Sequence, residues 1–327
     1  MTASSDPTSD PRPRPDGQRK RRFRREPEGA IQITERDLAI VRLVCRHRFL
    51  RSTHLLALVG GGQGLIRRLA DLYHHAYLDR PREQIEFYQN AGSKPMVYAV
   101  GNRGADLLAR EDGLPRGKVN WTAKNHAIGP LFLEHTLLVS DVLVAMALAC
   151  RENGRVRLVP AEEIVARAPE ATRKRLKPFQ WTVTGSYQGE KTPLGVVPDG
   201  MFGLQYLDKP EGRNTAYFFL EADRATMPIF RKGVRQTSFF RKLVAYHETW
   251  KQGIHTSVYG IKNFRVLTVT TSPERVENLV RANRAVNEGK GSRLFLFTDE
   301  TALRTAPDLL ALDWRNGEDA TPVRLGA

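Results

Sequence analysis

Two segments of the sequence place acidic side chains where apolar strands are expected to end. Residues 196–200 read VVPDG, so Asp199 follows an apolar run at a turn. Residues 217–224 read YFFLEADR, with Glu221 and Asp223 two residues apart. Because side chains alternate along a strand, these two carboxylates are expected on one face. Such oxygen ligands suit Mg²⁺, so Asp199, Glu221 and Asp223 are the predicted metal ligands and catalytic acids.

These acids resemble the core motif of the PD-(D/E)xK nucleases, which reads Pro-Asp, a spacer, and then acid-x-Lys on a strand. Pro198 and Asp199 match the first half, and Glu221 to Asp223 match the second. The resemblance implies a restriction-endonuclease-like mixed sheet and metal-dependent attack of water on a DNA phosphodiester. Asp223 stands where that family has a lysine, which stabilises negative charge near the attacking water.

A lysine from a neighbouring helix would complete the motif, as it does in some members of that family. Lys242 is the main candidate for this catalytic role, and Lys232 is another. Lys242 lies four residues before Tyr246 on a helix predicted over residues 230–253, so both side chains are expected on one face. The resemblance also makes Glu134, on the first long helix, a candidate fourth acid.

A structural role for the same carboxylates is the alternative. Glu221 and Asp223 could pair with an arginine, and the nearby candidates are Arg224, Arg231 and Arg235. Asp199 could serve only the Pro-Asp-Gly turn. Ion-paired networks and functional sites both cluster charged groups, so both interpretations stay open.

The elements that must position these acids form an α/β or α+β pattern over residues 131–300. A long apolar helix is expected from Gly129 to about Asn153, and a later one over residues 273–288. Strands are expected over residues 156–160, 180–183, 194–197, 201–204, 216–220, 266–271 and 293–297. This pattern predicts a mixed sheet covered by helices.

Residues 30–112 have the element order of a winged helix, with three helices, a β-hairpin over residues 84–100 and a closing helix. In helix-turn-helix proteins the second motif helix enters the major groove, led by its N-terminal residues. Gln63, Arg67 and Arg68 are therefore predicted DNA contacts, and Lys94 at the wing tip is predicted to reach a flanking phosphate. A protein-interaction winged helix is the alternative.

Positive charge is densest before this unit. The 327 residues include 51 Lys and Arg and 36 Asp and Glu, a net charge of +15. Six of the seven residues from 19 to 25 are basic. Residues 1–29 are predicted to form a disordered arm on DNA phosphates, with contacts from Arg21, Arg22, Arg24 and Arg25. A solubilising tail is the alternative.

Composition excludes several classes of protein. Two cysteines exclude a disulfide scaffold and a cysteine-rich zinc site. The apolar run over residues 131–150 is interrupted by Glu134, His135 and Asp141, so no membrane span is expected. The N-terminal residues are rich in Pro, Asp and Arg rather than apolar, so no signal peptide is expected. A cytoplasmic protein is predicted, with a linker over residues 113–130 and a C-terminal tail over residues 301–327.

The order of these motifs is similar to that in the replication-relaxation family of plasmid and mobile-element proteins. The similarity spans roughly residues 34–297 and rests on the winged-helix start and on short segments at 134–136, 197–200, 219–224, 242–246 and 264–271. It implies a DNA-associated role in plasmid replication, relaxation or mobilisation. The implied partners are double-stranded DNA and plasmid replication or mobilisation proteins.

Three functions are compatible with the sequence. The first is a DNA-binding accessory protein whose nuclease-like domain is degenerate. The second is a Mg²⁺-dependent DNA endonuclease or nickase that uses Asp199, Glu221, Asp223 and Lys242. The third is a winged-helix transcriptional regulator whose C-terminal domain forms a homodimer or senses a partner.

Overall fold

The structure, a computed structural model, describes residues 23–84, 94–116, 119–187, 190–231 and 236–326. The described helices are α1 Glu35–His47, α2 Ser52–Val59, α3 Gln63–His74, α4 Asn102–Asp112, α5 Trp121–His126, α6 Pro130–Asn153, α7 Ala161–Ala166, α8 Glu170–Arg173, α9 Phe239–Lys251, α10 Ile254–Tyr259, α11 Pro273–Val286 and α12 Glu300–Thr305. The described strands are β1 Leu50–Arg51, β2 Leu78–Asp79, β3 Val97–Val100, β4 Val156–Pro160, β5 Trp181–Tyr187, β6 Glu190–Val196, β7 Gly200–Tyr206, β8 Thr215–Asp223, β9 Arg265–Thr270, β10 Phe295–Asp299, β11 Trp314–Asn316 and β12 Pro322–Val323.

Backbone contacts divide the chain into two compact units. The first unit comprises Met1–Arg48 and Gly61–Ile128, and the second comprises Phe49–Gly60 and Gly129–Ala327. Helix α2 therefore groups with the second unit, where it packs against α6. This division differs from the winged-helix boundaries of 30–112 predicted from the sequence, because the second of the three expected helices groups with the second unit.

The first unit is held by local capping and by a short antiparallel pairing. A capping box between Thr34 and Asp37 begins α1, because each side chain accepts the other residue's backbone N–H. Strands β2 and β3 pair antiparallel, with Leu78 opposite Val100. The tip of the predicted wing, including residues 85–93, lies outside the described residues.

The N-terminal segment of the first unit is packed from residue 23 onward. Arg25 donates to an Asp79 carboxylate oxygen at 2.8 Å, and its guanidinium lies 4.6 Å from the centroid of the Tyr73 ring. The His75 ring lies 3.1 Å from the Gly29 carbonyl oxygen. Residues 23–29 thus differ from the disordered arm predicted for them, because Arg25 finds a buried carboxylate partner. Arg21 and Arg22 lie outside the described residues.

The second unit is built on a seven-stranded mixed sheet in the order β12-β11-β10-β9-β8-β7-β4. Strands β8, β9 and β10 run parallel, and the remaining neighbours pair antiparallel. Strands β5 and β6 form a separate two-stranded hairpin. The α/β class with a mixed sheet is confirmed.

Alternation along β8 divides the core between the two faces of this sheet. Phe219 packs in one apolar cluster with residues of α9 and α11. Its neighbours Phe218 and Leu220 pack in a second cluster with residues of α6. Glu221 and Asp223 are in alternation with Phe219, so both carboxylates project toward the α9 and α11 side.

The predicted C-terminal tail is part of the folded sheet. Strands β11 and β12 extend its edge, and Trp314 at the start of β11 is fully buried. The predicted strands at 156–160 and 266–271 and the predicted long helix are confirmed within a residue or two. The helix expected over 230–253 begins only at Phe239.

Helix α6 is long and apolar enough to cross a membrane by length and composition alone. The core helices of soluble proteins pass the same test, so this is weak evidence. Ten residues of α6 are buried, among them Leu133, Val142 and Met146.

Candidate active site

Asp199 is fixed beside β8 by backbone pairing. It directly precedes β7, and its backbone N–H donates to the Leu220 carbonyl at 3.0 Å. The Asp199 carboxylate turns back on the same strand, where one oxygen accepts the Ala222 N–H at 2.9 Å. The antiparallel register of β7 and β8, which places Gly200 opposite Leu220, therefore brings Asp199 next to Glu221.

Glu221 is buried beneath α9, with 2% of its surface exposed. The Lys242 ammonium donates to one carboxylate oxygen at 2.5 Å. The Tyr246 hydroxyl donates to the other oxygen at 2.5 Å. Lys242 and Tyr246 are one helical turn apart, so a single face of α9 supplies both donors. Lys242, the main candidate for the displaced lysine, therefore contacts Glu221 directly.

His135 completes the set of residues around Asp199. Its Nε2 atom lies 3.0 Å from the second carboxylate oxygen of Asp199. His135 is on the first turns of α6, which packs on the opposite face of the sheet from α9. Asp199 sits at the end of the sheet, where groups from both layers reach it.

The two acids are in contrasting electrostatic states. Burial and the nearby charge of Asp199 raise the pKa of Glu221 to about 7, and they outweigh the opposing effects of Lys242 and Tyr246. For Asp199, burial favours the neutral form, but the His135 hydrogen bond and the charge of Lys242 prevail and lower its pKa. Asp199 therefore holds its charge more readily, whereas Glu221 titrates near neutral pH.

The pKa values of the two basic partners, His135 and Lys242, are both raised. The hydrogen bond to Asp199 raises the pKa of His135, although burial opposes this. Burial alone would lower the pKa of Lys242, but the charges of Glu221 and Asp199 raise it. About a third of the Lys242 side chain, 32%, remains exposed. Lys242 is therefore partly exposed to solvent, whereas Glu221, to which it donates, is enclosed.

Asp223 does not join the pair, in contrast to the prediction. Arg275 in α11 donates to both of its carboxylate oxygens, at 2.8 and 3.2 Å. The Thr270 hydroxyl donates to one of them at 2.8 Å. Asp223 points from the same face of β8 as Glu221 but lies against α11 rather than α9. Its arrangement is that of a buried structural ion pair.

The arginine that pairs with Asp223 is distant in sequence from the candidates considered. Arg224 instead forms an ion pair with Glu134, which therefore has a partner of its own and is not the expected fourth acid. Lys232 and Arg235 lie outside the described residues. The Arg275 guanidinium also donates to the Met227 carbonyl at 2.7 Å, so it fixes the loop after β8 as well as Asp223.

The carboxylates do not fit a metal ion as they are placed. Each oxygen of Asp199 and Glu221 already has a hydrogen-bond partner from the protein. Among the described residues, no group of three or more His, Cys, Asp or Glu is placed to hold a metal. A hard cation binds about six oxygen ligands, and carboxylates of the protein usually supply several of them. The predicted Mg²⁺ site therefore gains no support from this geometry.

The predicted DNA contacts on α3 differ in how they are held. Gln63 and Arg67 are exposed on the helix surface. Arg68 is engaged within the unit, since its guanidinium donates to both carboxylate oxygens of Asp37 at 2.9 and 2.5 Å. It also donates to the Gln32 carbonyl at 2.6 Å. Arg68 therefore links α3 to the start of α1.

The other predicted contacts lie outside α3. Lys94 is exposed just after the undescribed wing tip. The Arg24 side chain is 66% exposed, and its Nε lies 3.8 Å from a Glu26 carboxylate oxygen. Arg25 is held by Asp79.

The sequence did not reveal the roles of two residues: His135, which contacts Asp199, and Arg275, which pairs with Asp223. His135 lies within the segment 134–136 that contributes to the family resemblance, but an isolated histidine on an apolar helix gives no sign that it reaches Asp199. Arg275 lies 52 residues after Asp223, so only the packing of α11 against β8 could reveal their pairing. The spacing of Tyr246 from Lys242 predicts that both lie on one helix face, but it does not predict the hydrogen bond from Tyr246 to Glu221.

Comparison with known protein families finds a match to the replication-relaxation family over residues 41–264. The matched region includes α3, Asp199, Glu221, Lys242 and Tyr246. No curated protein and no solved structure matches the chain.

Proposed function

The chain belongs to the replication-relaxation family, and from this premise we propose that it is a DNA-binding accessory protein of plasmid or mobile-element replication or relaxation. Its proposed partners are double-stranded DNA and the replication or mobilisation proteins that act on the same DNA. The second unit would serve as a nuclease-like scaffold that does not cut DNA. The protein would work in the cytoplasm.

The enclosure of Glu221 is the observation that carries this proposal. The Lys242 ammonium and the Tyr246 hydroxyl take up both of its carboxylate oxygens. In a metal-dependent nuclease these oxygens would face the cation. Here Lys242 supplies positive charge in that position, and Asp223, the third predicted ligand, is neutralised by Arg275. The pairing of Glu221 and Asp223 with basic side chains of the protein supports a role that does not require a metal.

The proposed DNA contact lies on α3 of the first unit. Arg67 is exposed near the N-terminal end of that helix, as a residue that enters a DNA groove must be. Gln63 is exposed one turn earlier. Arg68 supports the helix through Asp37 and is proposed to position it rather than to touch bases.

A salt-titrated binding assay on duplex DNA tests this assignment. The expected result is binding that weakens as salt rises, because phosphate contacts release counterions. Arg67→Ala should weaken binding and reduce the slope of log K against log salt by about 1. Arg110→Ala, which removes an exposed arginine on α4, is the matched control and should leave the slope unchanged. Equal effects of the two variants would reject α3 as the contact.

A metal-dependent endonuclease or nickase is the second candidate. The observation that favours it is the convergence of Asp199, Glu221 and Lys242, three of the four predicted catalytic residues. Supercoiled plasmid incubated with Mg²⁺ or Mn²⁺ separates the candidates. Nicking by the wild type that is lost in Asp199→Ala would establish the enzyme. Absence of nicking in both, with duplex binding retained, is expected for the accessory protein.

A further inference from the structure

The second unit has a large open groove that is separate from the carboxylate site. Its volume is about 1260 Å³. It is lined by the turn between β7 and β8 and by the segments that lead into β9 and β10. Glu221 lies six residues beyond Thr215, a lining residue, which is about 20 Å along the extended strand. The groove and the acids are therefore at opposite ends of β8.

Positive charge dominates the lining of this groove. Seven lysine or arginine residues line it, against two glutamates. Arg167, Arg293 and Arg324 are paired with acids. Arg213 and Lys262 are exposed, and neither forms an ion pair with any residue in the described part of the chain. Such unneutralised cations in a concave surface attract a polyanion.

An exposed tryptophan lies among these cations. Trp250, in the last turn of α9, is 50% exposed and lines the groove. Trp181 and Trp314 of the same unit are buried in its core. The exposed half of the Trp250 indole does not contribute to packing of that core. It offers an apolar, planar surface on which a nucleic-acid base can stack.

We propose that this groove binds single-stranded DNA, with Arg213 and Lys262 on the backbone phosphates and a base stacked on Trp250. The volume exceeds the roughly 300–1,000 Å³ typical of small-molecule sites and suits an extended polymer. A duplex is disfavoured because its bases are already stacked and show no ring face to Trp250. The proposal deepens the proposed function, since relaxation or replication of a plasmid exposes single strands.

Binding of full-length protein to a fluorescently labelled oligothymidine tests the stacking contact. An oligonucleotide of about 12 nucleotides lies within the size range of single-strand sites. We expect Trp250→Leu to weaken binding by about 10-fold and to remove quenching of tryptophan emission by the oligonucleotide. Trp250→Phe retains a ring and should recover most of the affinity. Circular dichroism should be unchanged in both, because Trp250 is half exposed.

A paired charge experiment tests the phosphate contacts. Arg213→Ala combined with Lys262→Ala should lower the salt slope of oligothymidine binding by about 1.4, from about 0.7 for each contact. Arg110→Ala combined with Arg281→Ala removes the same charge from exposed sites outside the groove. This control pair should leave the slope near its wild-type value.

The outcomes separate this proposal from the one for α3. Arg67→Ala should weaken duplex binding and leave oligothymidine binding unchanged, and Trp250→Leu should do the reverse. If the groove variants bind oligothymidine as the wild type does, the groove proposal is wrong whatever happens on duplex DNA. Equal losses from the groove pair and the control pair would show only a general effect of net charge and would also overturn it.

Discussion

Replacing Glu221 with glutamine should remove most of a pH-dependent contribution to stability. Burial and the charge of Asp199 raise the pKa of Glu221 from 4.5 to about 7. The folded protein therefore holds this proton more tightly than the unfolded chain does. The resulting stabilisation is complete below about pH 4.5 and is lost as the pH rises through about 7.

The expected magnitude follows from the size of the shift. Each pKa unit corresponds to about 1.4 kcal/mol, so the shift of Glu221 is worth about 3 kcal/mol. Glutamine keeps the shape of the side chain but does not titrate in this range. The free energy of unfolding of the wild type, relative to that of Glu221→Gln, should thus fall by about 3 kcal/mol between pH 4 and pH 8.

Urea unfolding at a series of pH values measures this difference. Three of the four tryptophans, at positions 181, 250 and 314, lie in the second unit, so their emission follows its unfolding. Glu152→Gln, which changes an exposed carboxylate on α6, is the matched control. Its difference from the wild type should stay within about 0.5 kcal/mol at every pH.

Two results would refute the reasoning. A flat difference between the wild type and Glu221→Gln would mean that the carboxyl keeps its ordinary pKa in the folded protein. A wild type that gains stability relative to the variant as the pH rises would mean that Lys242 and Tyr246 outweigh burial and lower that pKa. Either result would leave the hydrogen bonds in place but contradict the electrostatic account of the pair.

Three further substitutions test the structural contacts. Arg275→Met should lower the free energy of unfolding by about 3–5 kcal/mol in urea, because it leaves the Asp223 carboxylate buried without its partner; a loss under about 1 kcal/mol would contradict this ion-pair role. Arg68→Ala should cost about 1–3 kcal/mol, since the buried Asp37 loses its cationic partner and keeps only its bonds to Thr34, whereas the neighbouring Arg67→Ala should cost less than about 0.5 kcal/mol. Gly101→Ala should lower the thermal midpoint because the new Cβ would lie 2.3 Å from the Ala76 carbonyl oxygen, and Gly129→Ala, at a similar helix start with open space, should not; equal midpoints would contradict the close approach.

The sequence alone determined the features that depend on local periodicity. The apolar pattern predicts the start of α6 within a residue of the observed start, because apolar side chains recur every three or four residues on one face of a helix. Alternation placed Glu221 and Asp223 on one face of β8. The spacing of Lys242 and Tyr246 placed both on one face of α9. The α/β class and the family followed from these patterns and from their order.

Tertiary structure alone decided which partner each of these side chains has. Glu221 and Asp223 share a strand face, yet one meets donors from α9 and the other meets Arg275 from α11. Strands β11 and β12 were hidden in a predicted tail because two or three residues are too few to show a period. Arg25 was expected in a free arm but pairs with Asp79, 54 residues later. Such contacts depend on sheet register and on which helices cover each face, and these are set by packing across the whole unit rather than by neighbours in sequence.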